Sequence, residues 1–388
     1  MNYIYLDNSA TTSPSEGVAL AMCEAIRNVY GNPSSVHAAG IEASKLLEKS
    51  RTSVIHSLGI RDSSRGSLFF TSGGTEANNM AIFGVANAKN FRFKPRMITT
   101  AAEHPAVLEP AKQLEARGFD VVRLPAPGGV IDEELFRSSL TPETVLVSIM
   151  LVNNETGAVN DVKKLFEITK SVCPNAVTHC DAVQAYSKLN CNPTKLGADL
   201  LTVSAHKIHG PKGIGALWCS SEIIRAKKLV PIIYGGGQEQ GFRSSTENVV
   251  AAAGFGAAAE EAVKDADKKL RHVEELRKIL VDALPDSVRL NVPKGKYVPN
   301  ILSITLPSVK SEVMVRALSA DGICISAGSA CASNHKNIST ALLDFGLPSN
   351  EADTTVRVSL SYTNTTEEVL AFAAALGEKL KSLQQIKR

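Results

Sequence analysis

The chain has 388 residues, enough for two domains with well-buried cores. Its composition, 44% hydrophobic and 21% charged, is ordinary for a globular protein, and a formal net charge of +3 is too small to favour nucleic acid or a membrane surface as a partner. No apolar run reaches the ~18 residues of a spanning helix, and the seven cysteines form no CxxC pair, which argues against a disulfide framework or a zinc ribbon. The amino terminus enters Tyr3-Ile4-Tyr5-Leu6 without a basic-then-apolar export signal, so we expect a cytoplasmic protein.

Strand and helix patterns alternate through the first two-thirds of the chain. Short runs rich in β-branched residues end at glycine, proline or polar turns, and stretches with helical spacing lie between them. The predicted strands are residues 67–71, 96–100, 120–124, 144–150, 176–181 and 200–203, and the predicted helices are residues 16–29, 36–58, 77–88, 133–140 and 162–171. This alternation predicts an α/β fold with a mainly parallel sheet covered by helices on both faces.

The last third of the chain has the pattern of a smaller α+β unit. A long helical stretch at residues 249–284 is expected to join it to the first part. Predicted strands at 301–306, 323–326 and 355–360 alternate with predicted helices at 312–320, 340–345 and 367–383. We therefore expect a large α/β domain over residues 15–255 and a smaller α+β domain formed by residues 1–14 and 256–388.

Lys207 follows a buried strand and begins a turn rich in glycine. A lysine at the mouth of such a strand can enter a pocket, lose part of its hydration and become a usable amine nucleophile. Ser204 and His206 offer hydrogen bonds to a phosphate. The pattern favours a lysine that holds pyridoxal phosphate (PLP) as a Schiff base, although an isolated turn lysine is usually a solvated surface residue. The spacing of His206 and His209 occurs in some metal sites, but no carboxylate or cysteine completes a ligand set, so we expect no metal.

Asp181 ends the predicted strand that precedes the Lys207 strand. PLP enzymes commonly pair the lysine with an acid that protonates the pyridine nitrogen and makes the ring an electron sink. Two adjacent parallel strands would carry both groups to the same end of a sheet, where ligands bind in open α/β folds. By residue type and position alone, a helix cap at Asp181 is about equally favoured.

The stretch Ser72-Gly73-Gly74-Thr75-Glu76 links a predicted strand to a predicted helix. Such a turn presents backbone N–H groups and the positive end of a helix dipole to a phosphate. We therefore predict that Gly74 and Thr75 cradle a phosphate; a glycine turn with a threonine cap is the alternative. Neither GxGxxG nor Walker lysine spacing occurs here, which argues against a dinucleotide or a nucleoside triphosphate.

Four motifs occur in a characteristic order: Asn153-Asn154-Glu155-Thr156-Gly157, His179-Cys180-Asp181-Ala182-Val183-Gln184, Ser204-Ala205-His206-Lys207 and Ser326-Ala327-Gly328-Ser329-Ala330-Cys331. With them the chain resembles the NifS-like cysteine desulfurases, in the class V aminotransferase group of fold-type-I PLP enzymes, over nearly its whole length. The resemblance implies a seven-stranded-type sheet between helices and a PLP-dependent enzyme that acts on L-cysteine.

The resemblance also implies roles around the cofactor. Asp181 would hold the pyridine nitrogen, and Gln184 would donate to the 3-oxygen of the ring. His104 would stack on the ring and exchange protons, and Asn154 would reach a cofactor oxygen or the substrate carboxylate.

The loop of residues 235–248 is too glycine-rich and polar to be core. The resemblance implies a homodimer in which this loop reaches the neighbouring subunit and Thr246 contacts that subunit's PLP phosphate. Ser245 stands where the family usually has glycine, so we expect its side chain to disturb close backbone approach.

Two further residues, Arg357 and Cys331, bear on how the substrate is held and how its sulfur is removed. Arg357 lies in a strand pattern, where a guanidinium is expensive to bury unpaired but can hold a carboxylate at two points. The resemblance makes it the ligand of the substrate carboxylate; a salt bridge within the small domain is the alternative. The resemblance makes Cys331, on a glycine-and-serine loop, the mobile nucleophile that keeps sulfur as a persulfide. The remaining cysteines are expected to be inert core residues: Cys23, Cys173, Cys180, Cys191, Cys219 and Cys324.

The resemblance thus predicts a cysteine desulfurase that converts L-cysteine into L-alanine and passes sulfur to an acceptor protein for iron–sulfur cluster or thio-cofactor synthesis. Selenocysteine lyase, or another β-eliminating class V enzyme, is a second interpretation, and a non-catalytic assembly partner is a third. The sequence does not identify the protein that accepts the sulfur. In the housekeeping branch of the family a tail beyond the last helix meets the scaffold protein, whereas this sequence stops at Arg388, soon after the last predicted helix.

Overall fold

The computed structural model describes residues 3–328 and 338–385. Within them the strands β1 to β12 are Ile4–Tyr5, Gly66–Thr71, Arg96–Thr100, Asp120–Leu124, Thr144–Met150, Val177–Asp181, Leu200–Ser204, Gly215–Ser220, Arg289–Leu290, Ile301–Thr305, Ile323–Cys324 and Thr355–Ser359. The helices α1 to α14 of the same residues are Glu16–Asn28, Ala38–Ser57, Gly74–Ala86, Pro105–Ala116, Glu133–Ser139, Val162–Val172, Pro193–Leu196, Ser221–Arg225, Val249–Val263, Ala266–Ala283, Ser311–Ala320, Thr340–Asp344, Ser349–Asp353 and Thr366–Gln385.

The main sheet of the described residues has seven strands in the order β2-β8-β7-β6-β5-β3-β4. The strand pairs β7-β6, β6-β5, β5-β3 and β3-β4 are parallel. Strand β8 pairs antiparallel with both β7 and β2. The mainly parallel α/β sheet expected from the alternating pattern is therefore confirmed. Sequence analysis did not predict β8, because its apolar run follows directly on the glycine-rich turn that carries Lys207.

Helices cover both faces of this sheet because successive strand residues point to opposite sides. In β2, Leu68 and Phe70 join a buried apolar cluster with α2 and α9, whereas Phe69 joins a cluster with α3 and α4. The helices α2 and α9 approach closely: a Cβ on Gly256 would lie 2.9 Å from the Cα of Ser50. Glycine at that position allows α9 to lie directly on α2.

The smaller unit is built on an antiparallel sheet, β9-β10-β12, and a parallel pair, β1-β11. Bridges between Asp7 and Ser359, and between Ser326 and Arg357, join the pair to β12. Leu6 is fully buried in the same apolar cluster as residues of β10, β12 and α14. The amino terminus therefore packs with the carboxyl-terminal unit. The boundaries 1–14, 15–255 and 256–388 stay a prediction.

The long helix predicted for residues 249–284 is wrong, because the structure forms α9 and α10 instead. Asp265, between them, adopts a left-handed backbone with a φ of 55°, which ends one helix and redirects the chain into the next. The apolar spacing on either side continues, so periodicity alone does not reveal the break. None of the described helices is both long and apolar enough to cross a bilayer.

Candidate active site

A cavity opens at the carboxyl ends of β6 and β7, where polar loops from several strands meet. Its empty volume is about 970 Å³, part of which is open to solvent, and this suits a small-molecule ligand. The predicted site residues that line it are Gly74, Thr75, His104, Asn154, Asp181, Gln184, Ser204, His206, Lys207 and Arg357. Lining residues that sequence analysis missed include Ser9, Ala10, Asn78, Met150 and Val183. The candidate site is thus assembled from both parts of the chain.

Lys207 ends the single 3₁₀ turn that follows β7, and its amine points to the amino-terminal loop. Its Nζ donates hydrogen bonds to the backbone oxygen of Ser9 at 2.5 Å and to that of Ala10 at 2.8 Å. These carbonyls hold the half-buried amine at the wall of the cavity. The polar turn after β1 is therefore part of the site.

Asp181 ends β6, next to β7 in the sheet, and is 5% exposed. Its Oδ2 accepts a hydrogen bond from Asn78 Nδ2 at 2.7 Å, and its Oδ1 accepts one from the backbone N–H of Val183 at 3.0 Å. The two donors fix the carboxylate while leaving further lone pairs for a ligand. Sequence analysis did not predict Asn78. The feature that could have indicated it is a polar residue on the buried face of an otherwise apolar helix.

Gly74 and Thr75 form the first turn of α3, which begins three residues earlier than predicted. A Cβ on Gly74 would lie 2.9 Å from Val183 Cγ2, too close for any other residue to fit without displacement. The adjoining Glu76 accepts a hydrogen bond from the backbone N–H of Ser72 and forms an ion pair with Arg243. The helix terminus is thus pre-shaped, with backbone N–H groups directed to the cavity.

His104 caps the amino terminus of α4. Its Nδ1 accepts a hydrogen bond from the backbone N–H of Ala106 at 3.1 Å, so the neutral ring carries its proton on Nε2. Burial is the main cause that lowers the pKa of His104; Lys207 lowers it further, and Asp181 opposes the shift. At neutral pH the ring is uncharged, with Nε2–H as its donor.

Arg357 lies in the middle of β12 and is 2% exposed. Its Nη1 donates to the backbone oxygen of Asn154 at 2.9 Å, and its Nη2 contacts Asp7 Oδ1 at 2.7 Å. Its Nε has no hydrogen-bond partner among residues 3–328 and 338–385. The ion pair with Asp7 is a salt bridge within the smaller unit, which was the alternative interpretation of Arg357. Arg357 also lines the cavity, so this ion pair orients the guanidinium toward the cavity.

The other predicted cofactor ligands are held by local hydrogen bonds. Gln184 Nε2 donates to the backbone oxygen of Ser9 at 2.8 Å, while its Oε1 has no partner within the described part of the chain. Among the described residues, the one hydrogen bond of Ser204 Oγ is a 3.5 Å contact with the backbone oxygen of Ile214. Burial lowers the pKa of His206 to about 4, and nearby lysines contribute to the shift, so this ring is neutral. Spare hydrogen-bonding capacity remains at Gln184 and Ser204.

Glu103, immediately before His104, is a buried acid that sequence analysis gave no role. Its Oε1 accepts hydrogen bonds from Thr100 Oγ1 and the backbone N–H of Met150, both at 2.9 Å. Its Oε2 is buried and has no partner among the described residues. Burial, assisted by the charge of Asp181, raises the pKa of Glu103 to about 8, so the carboxyl is largely protonated at neutral pH.

One predicted residue does not join this cavity, and a second lies outside the described residues. Thr246 is exposed and lines a separate cavity with Thr71 and Ser72. Cys331 lies outside the described residues, so its predicted role stays a prediction. Ser245, the departure noted in the sequence, is exposed and has a φ of 144°, in the region that favours glycine.

The expectation for the remaining cysteines is partly wrong. Cys23 lies on α1 and is exposed, and Cys324 is half-buried, because these positions lie on outer faces of their elements. The other four are buried as expected: Cys173, Cys180, Cys191 and Cys219. Burial raises the pKa of the Cys191 thiol to about 12 and that of Cys180 well above its ordinary value, which makes both thiols inert.

The residues of the cavity fit PLP. Gly74 leaves free the space beside Val183 that a Cβ would fill, next to a helix terminus suited to a phosphate. Asp181 presents a fixed carboxylate for a pyridine N–H, and Lys207 presents an amine on the same wall. A carboxylate acceptor, an amine and a phosphate-binding turn are the groups that PLP requires.

Comparison with known proteins identifies the family. The family model described as aminotransferase class-V matches residues 4–372. A cysteine desulfurase IscS of Dictyoglomus turgidum is 36% identical over 99% of this chain and 97% of its own length. The cysteine desulfurase IscS 1 of Archaeoglobus fulgidus is 35% identical over 99% of both chains. The chain therefore belongs to the class V aminotransferase family.

Solved structures agree with this assignment. A NifS-like protein superposes with a TM-score of 0.90 and 36% identity, covering 98% of this chain and all of the other. A second NifS-like protein, from Rickettsia africae, gives a TM-score of 0.85 with 31% identity, at 98% and 100% coverage. The predicted resemblance, the fold class and PLP as the cofactor are confirmed.

Proposed function

We propose that this protein is a PLP-dependent cysteine desulfurase that converts L-cysteine to L-alanine and passes the sulfur to an acceptor protein. One observation carries the proposal: Lys207 and Asp181, from adjacent parallel strands, line one cavity together with Arg357. The relatives named cysteine desulfurase match this chain over nearly its whole length.

Bound PLP supplies a carbon that bonds covalently to an amine and a ring that withdraws electrons from the substrate α-carbon. Asp181, fixed by Asn78, accepts the pyridine N–H and keeps the ring protonated. Lys207 would hold the cofactor through its Nζ, and the same amine would remove the substrate α-proton. Gly74 and Thr75 receive the phosphate at the start of α3.

The substrate carboxylate binds at Arg357, whose guanidinium is already oriented by Asp7 and by the backbone of Asn154. His104 offers its Nε2–H to the substrate and moves a proton at the thiol or the α-carbon. To act as an acid the ring must first take up a proton, because a neutral imidazole does not release its Nε2–H at neutral pH.

Cys331 is the proposed sulfur acceptor. Its thiolate attacks the substrate sulfur, forming an S–S bond while the Cβ–S bond breaks and the electron pair stays with the carbon skeleton. Protonation of that carbon gives alanine, and Cys331 keeps a persulfide for transfer in iron–sulfur cluster or thio-cofactor synthesis. The small residues that precede it in the sequence, Gly328, Ser329 and Ala330, suit this role because short side chains favour an accessible thiol.

We further infer a homodimer in the cytoplasm. The exposed Thr246 is not among the residues that line the active-site cavity of its own chain, and it lines a separate cavity with Thr71 and Ser72. This position supports a contact with the phosphate site of a second copy. Sedimentation of the holoenzyme tests it: a dimer that persists at low micromolar concentration is expected, and a monomer that retains full activity would refute it.

The proposed function is tested by measuring alanine and sulfide formed from L-cysteine in the presence of a reductant. Cys331→Ser is expected to abolish persulfide formation, while Cys23→Ser, at an exposed cysteine of α1, leaves it unchanged. Wild-type rates in Cys331→Ser would contradict the assigned nucleophile. Loss of sulfur turnover in Cys331→Ala with intact selenium release from selenocysteine would instead favour a selenocysteine lyase.

A further inference from the structure

The turn that carries Asn154 includes a buried acid, Glu155, to which the proposed mechanism gives no role. Glu155 is 5% exposed. The turn is fixed by Asn153 Oδ1, which accepts hydrogen bonds from the backbone N–H groups of Glu155 at 3.0 Å and of Thr156 at 2.9 Å. The same turn contacts Arg357 through the backbone oxygen of Asn154. The backbone of Glu155 is therefore held in place at the candidate active site.

The carboxylate of Glu155 contacts the smaller unit at the start of α12. Its Oε2 accepts a hydrogen bond from Ser339 Oγ at 2.6 Å. Ser339 caps this helix, since its Oγ also accepts from the backbone N–H of Leu342 at 3.2 Å. At the other end of α12, Asp344 Oδ2 accepts a hydrogen bond from the backbone N–H of Ala126 at 2.9 Å. Both ends of α12 are thus bonded to the part of the chain that forms the main sheet.

The same carboxylate oxygen lies next to Gly328. A Cβ on Gly328 would lie 3.3 Å from Glu155 Oε2 and 3.8 Å from Ser339 Cβ, and the φ of 53° at Gly328 favours glycine. In the sequence, Gly328 precedes and Ser339 follows the stretch that includes Cys331. One oxygen of Glu155 therefore lies against both residues from which this stretch begins and ends.

The positions of these two residues limit where the Cys331 thiol can act. Cys331 follows Gly328 by three residues, and three extended residues span at most roughly 11 Å. Fixing the ends of a short stretch of chain raises the effective concentration of a group within it at the sites that it can reach. Burial raises the pKa of Glu155, whereas the hydrogen bond from Ser339 and the positive charge of Arg357 lower it. Glu155 thus interacts with one end of the stretch and with the proposed ligand of the substrate carboxylate.

We propose that Glu155 is a positioning residue for the transfer of sulfur to Cys331. Its Oε2 holds Gly328 and Ser339 in place. The Cys331 thiol then meets the sulfur of a substrate whose carboxylate is bound at Arg357. Glu155 makes and breaks no bond of the substrate, so the removal of the α-proton does not depend on its hydrogen bond to Ser339. This inference rests on the proposed function and adds a residue to its last step.

Two rates measured on the holoenzyme test the proposal. The first is persulfide formation from L-cysteine in a single turnover. The second is exchange of the α-proton of L-alanine with deuterated water, which requires no thiol. Ser339→Ala and Glu155→Met each remove the hydrogen bond, and each is expected to slow persulfide formation about tenfold, while exchange stays within about twofold of wild type. The double variant is expected to be no slower than the slower single variant, because both changes remove the same bond.

Two further variants separate this role from a general loss of structure. Glu155→Gln keeps an acceptor oxygen for Ser339 and is expected to recover most of the persulfide formation that Glu155→Met loses. Ser220→Ala is the matched control and is expected to leave both rates unchanged. Ser220 caps the five-residue helix α8 as Ser339 caps the five-residue helix α12, and it is not among the residues that line the active-site cavity.

Persulfide formation at the wild-type rate in both Ser339→Ala and Glu155→Met would overturn the inference. Equal slowing of persulfide formation and α-proton exchange would also overturn it, because it would indicate damage to the whole site. Ser339 is only half-buried, so Ser339→Ala keeps the test decisive if Glu155→Met does not fold. A wild-type enzyme that forms no persulfide contradicts the proposed function itself, whereas normal persulfide formation in wild type and in these variants contradicts only the role of Glu155.

Discussion

Asn78 Nδ2 donates a hydrogen bond to Asp181 Oδ2 at 2.7 Å, and this bond joins α3 to the end of β6. The same helix begins at Gly74, where the proposed phosphate cradle lies. One helix therefore sets the positions of both ends of the proposed cofactor site. Its rigidity couples the phosphate cradle to the carboxylate, because Asn78 is nearly fully buried and cannot move independently of α3.

Removing the Asn78 amide is expected to weaken PLP binding. Asn78→Ala leaves Asp181 Oδ2 without its side-chain donor, so the PLP dissociation constant should rise about tenfold. Asn78→Asp should be worse, because a second carboxylate beside Asp181 disfavours the charge that holds the pyridine N–H. Titration of apoprotein with PLP, followed by absorbance, measures both. Asn79→Ala, one position along the same helix, is the control, and an equal effect there would contradict the assignment.

Glu103 gives the protein a pH-dependent stability. Its folded-state pKa of about 8 lies above the ordinary carboxyl value, so between about pH 4.5 and pH 8 the folded chain keeps a proton that the unfolded chain loses. The free energy of unfolding should therefore fall across that window, by at most about 1.4 kcal/mol per pH unit from this group. Glu103→Gln, which cannot ionise, should lose less thermal stability than wild type between pH 5 and pH 8.

Differential scanning calorimetry of wild type and Glu103→Gln between pH 5 and pH 8 measures this difference in thermal stability. Glu109→Gln is the control, since Glu109 is exposed and should leave the slope unchanged. Gln retains an oxygen for the donors Thr100 and Met150, so a loss of fold is not expected. Parallel pH slopes for Glu103→Gln and wild type would show that the acid is not protonated in the folded state.

The architecture around Lys207 and Asp181 is predictable from sequence because it depends on periodicity. Each parallel strand is a short apolar run bounded by turns, and parallel pairing then places both residues at one end of the sheet. The parts that escaped prediction depend on tertiary contacts. Asn78 becomes important only because α3 packs against the end of β6, and Glu103 only because β5 lies beside it. Neither role can be inferred from the residue type alone.

Some local backbone conformations and side-chain exposures could not be predicted from the sequence either. Asp265 breaks the predicted long helix by adopting a left-handed conformation, although nothing in the flanking apolar spacing changes. The exposure of Cys23 depends on which face of α1 meets α9, and its residue type alone favours burial. The position of Thr246 could be stated only through the resemblance, because the sequence does not show that the loop lies outside its own cavity.

We expect the backbone at Ser245 to be strained and a glycine at this position to relieve the strain. Its φ of 144° is costly for a residue with a Cβ, and Ser245→Gly should raise the thermal midpoint by an amount equivalent to about 1 kcal/mol. Its backbone N–H donates to Gln238 Oε1, and this bond survives the change. Ser245→Ala is the matched control, since it removes the hydroxyl but keeps the Cβ, and it should give no gain. Equal stabilisation by both variants would assign the effect to the hydroxyl.

The ion pair between Arg51 and Glu239 anchors the loop that carries Thr246. Two N–H···O contacts of 2.6 and 3.0 Å join the groups, and Glu239 Oε2 also accepts from the backbone N–H of Phe70. Both side chains are more than nine-tenths buried, so removing one partner leaves an uncompensated charge. Arg51→Met should therefore destabilise the protein by about 3–5 kcal/mol.

The double variant Arg51→Met with Glu239→Gln separates that charge effect from lost packing. It leaves no unpaired charge, and its amide can still accept from Phe70, so it should be more stable than Arg51→Met alone. Denaturant unfolding of the four proteins in the cycle measures the coupling. Arg65→Met is the exposed control, because its ion pair with Asp62 is solvated and worth at most about 1 kcal/mol. A double variant as unstable as Arg51→Met would show that the loss comes from other contacts of Arg51, such as its guanidinium over the Phe70 ring, with little contribution from an unpaired Glu239 charge.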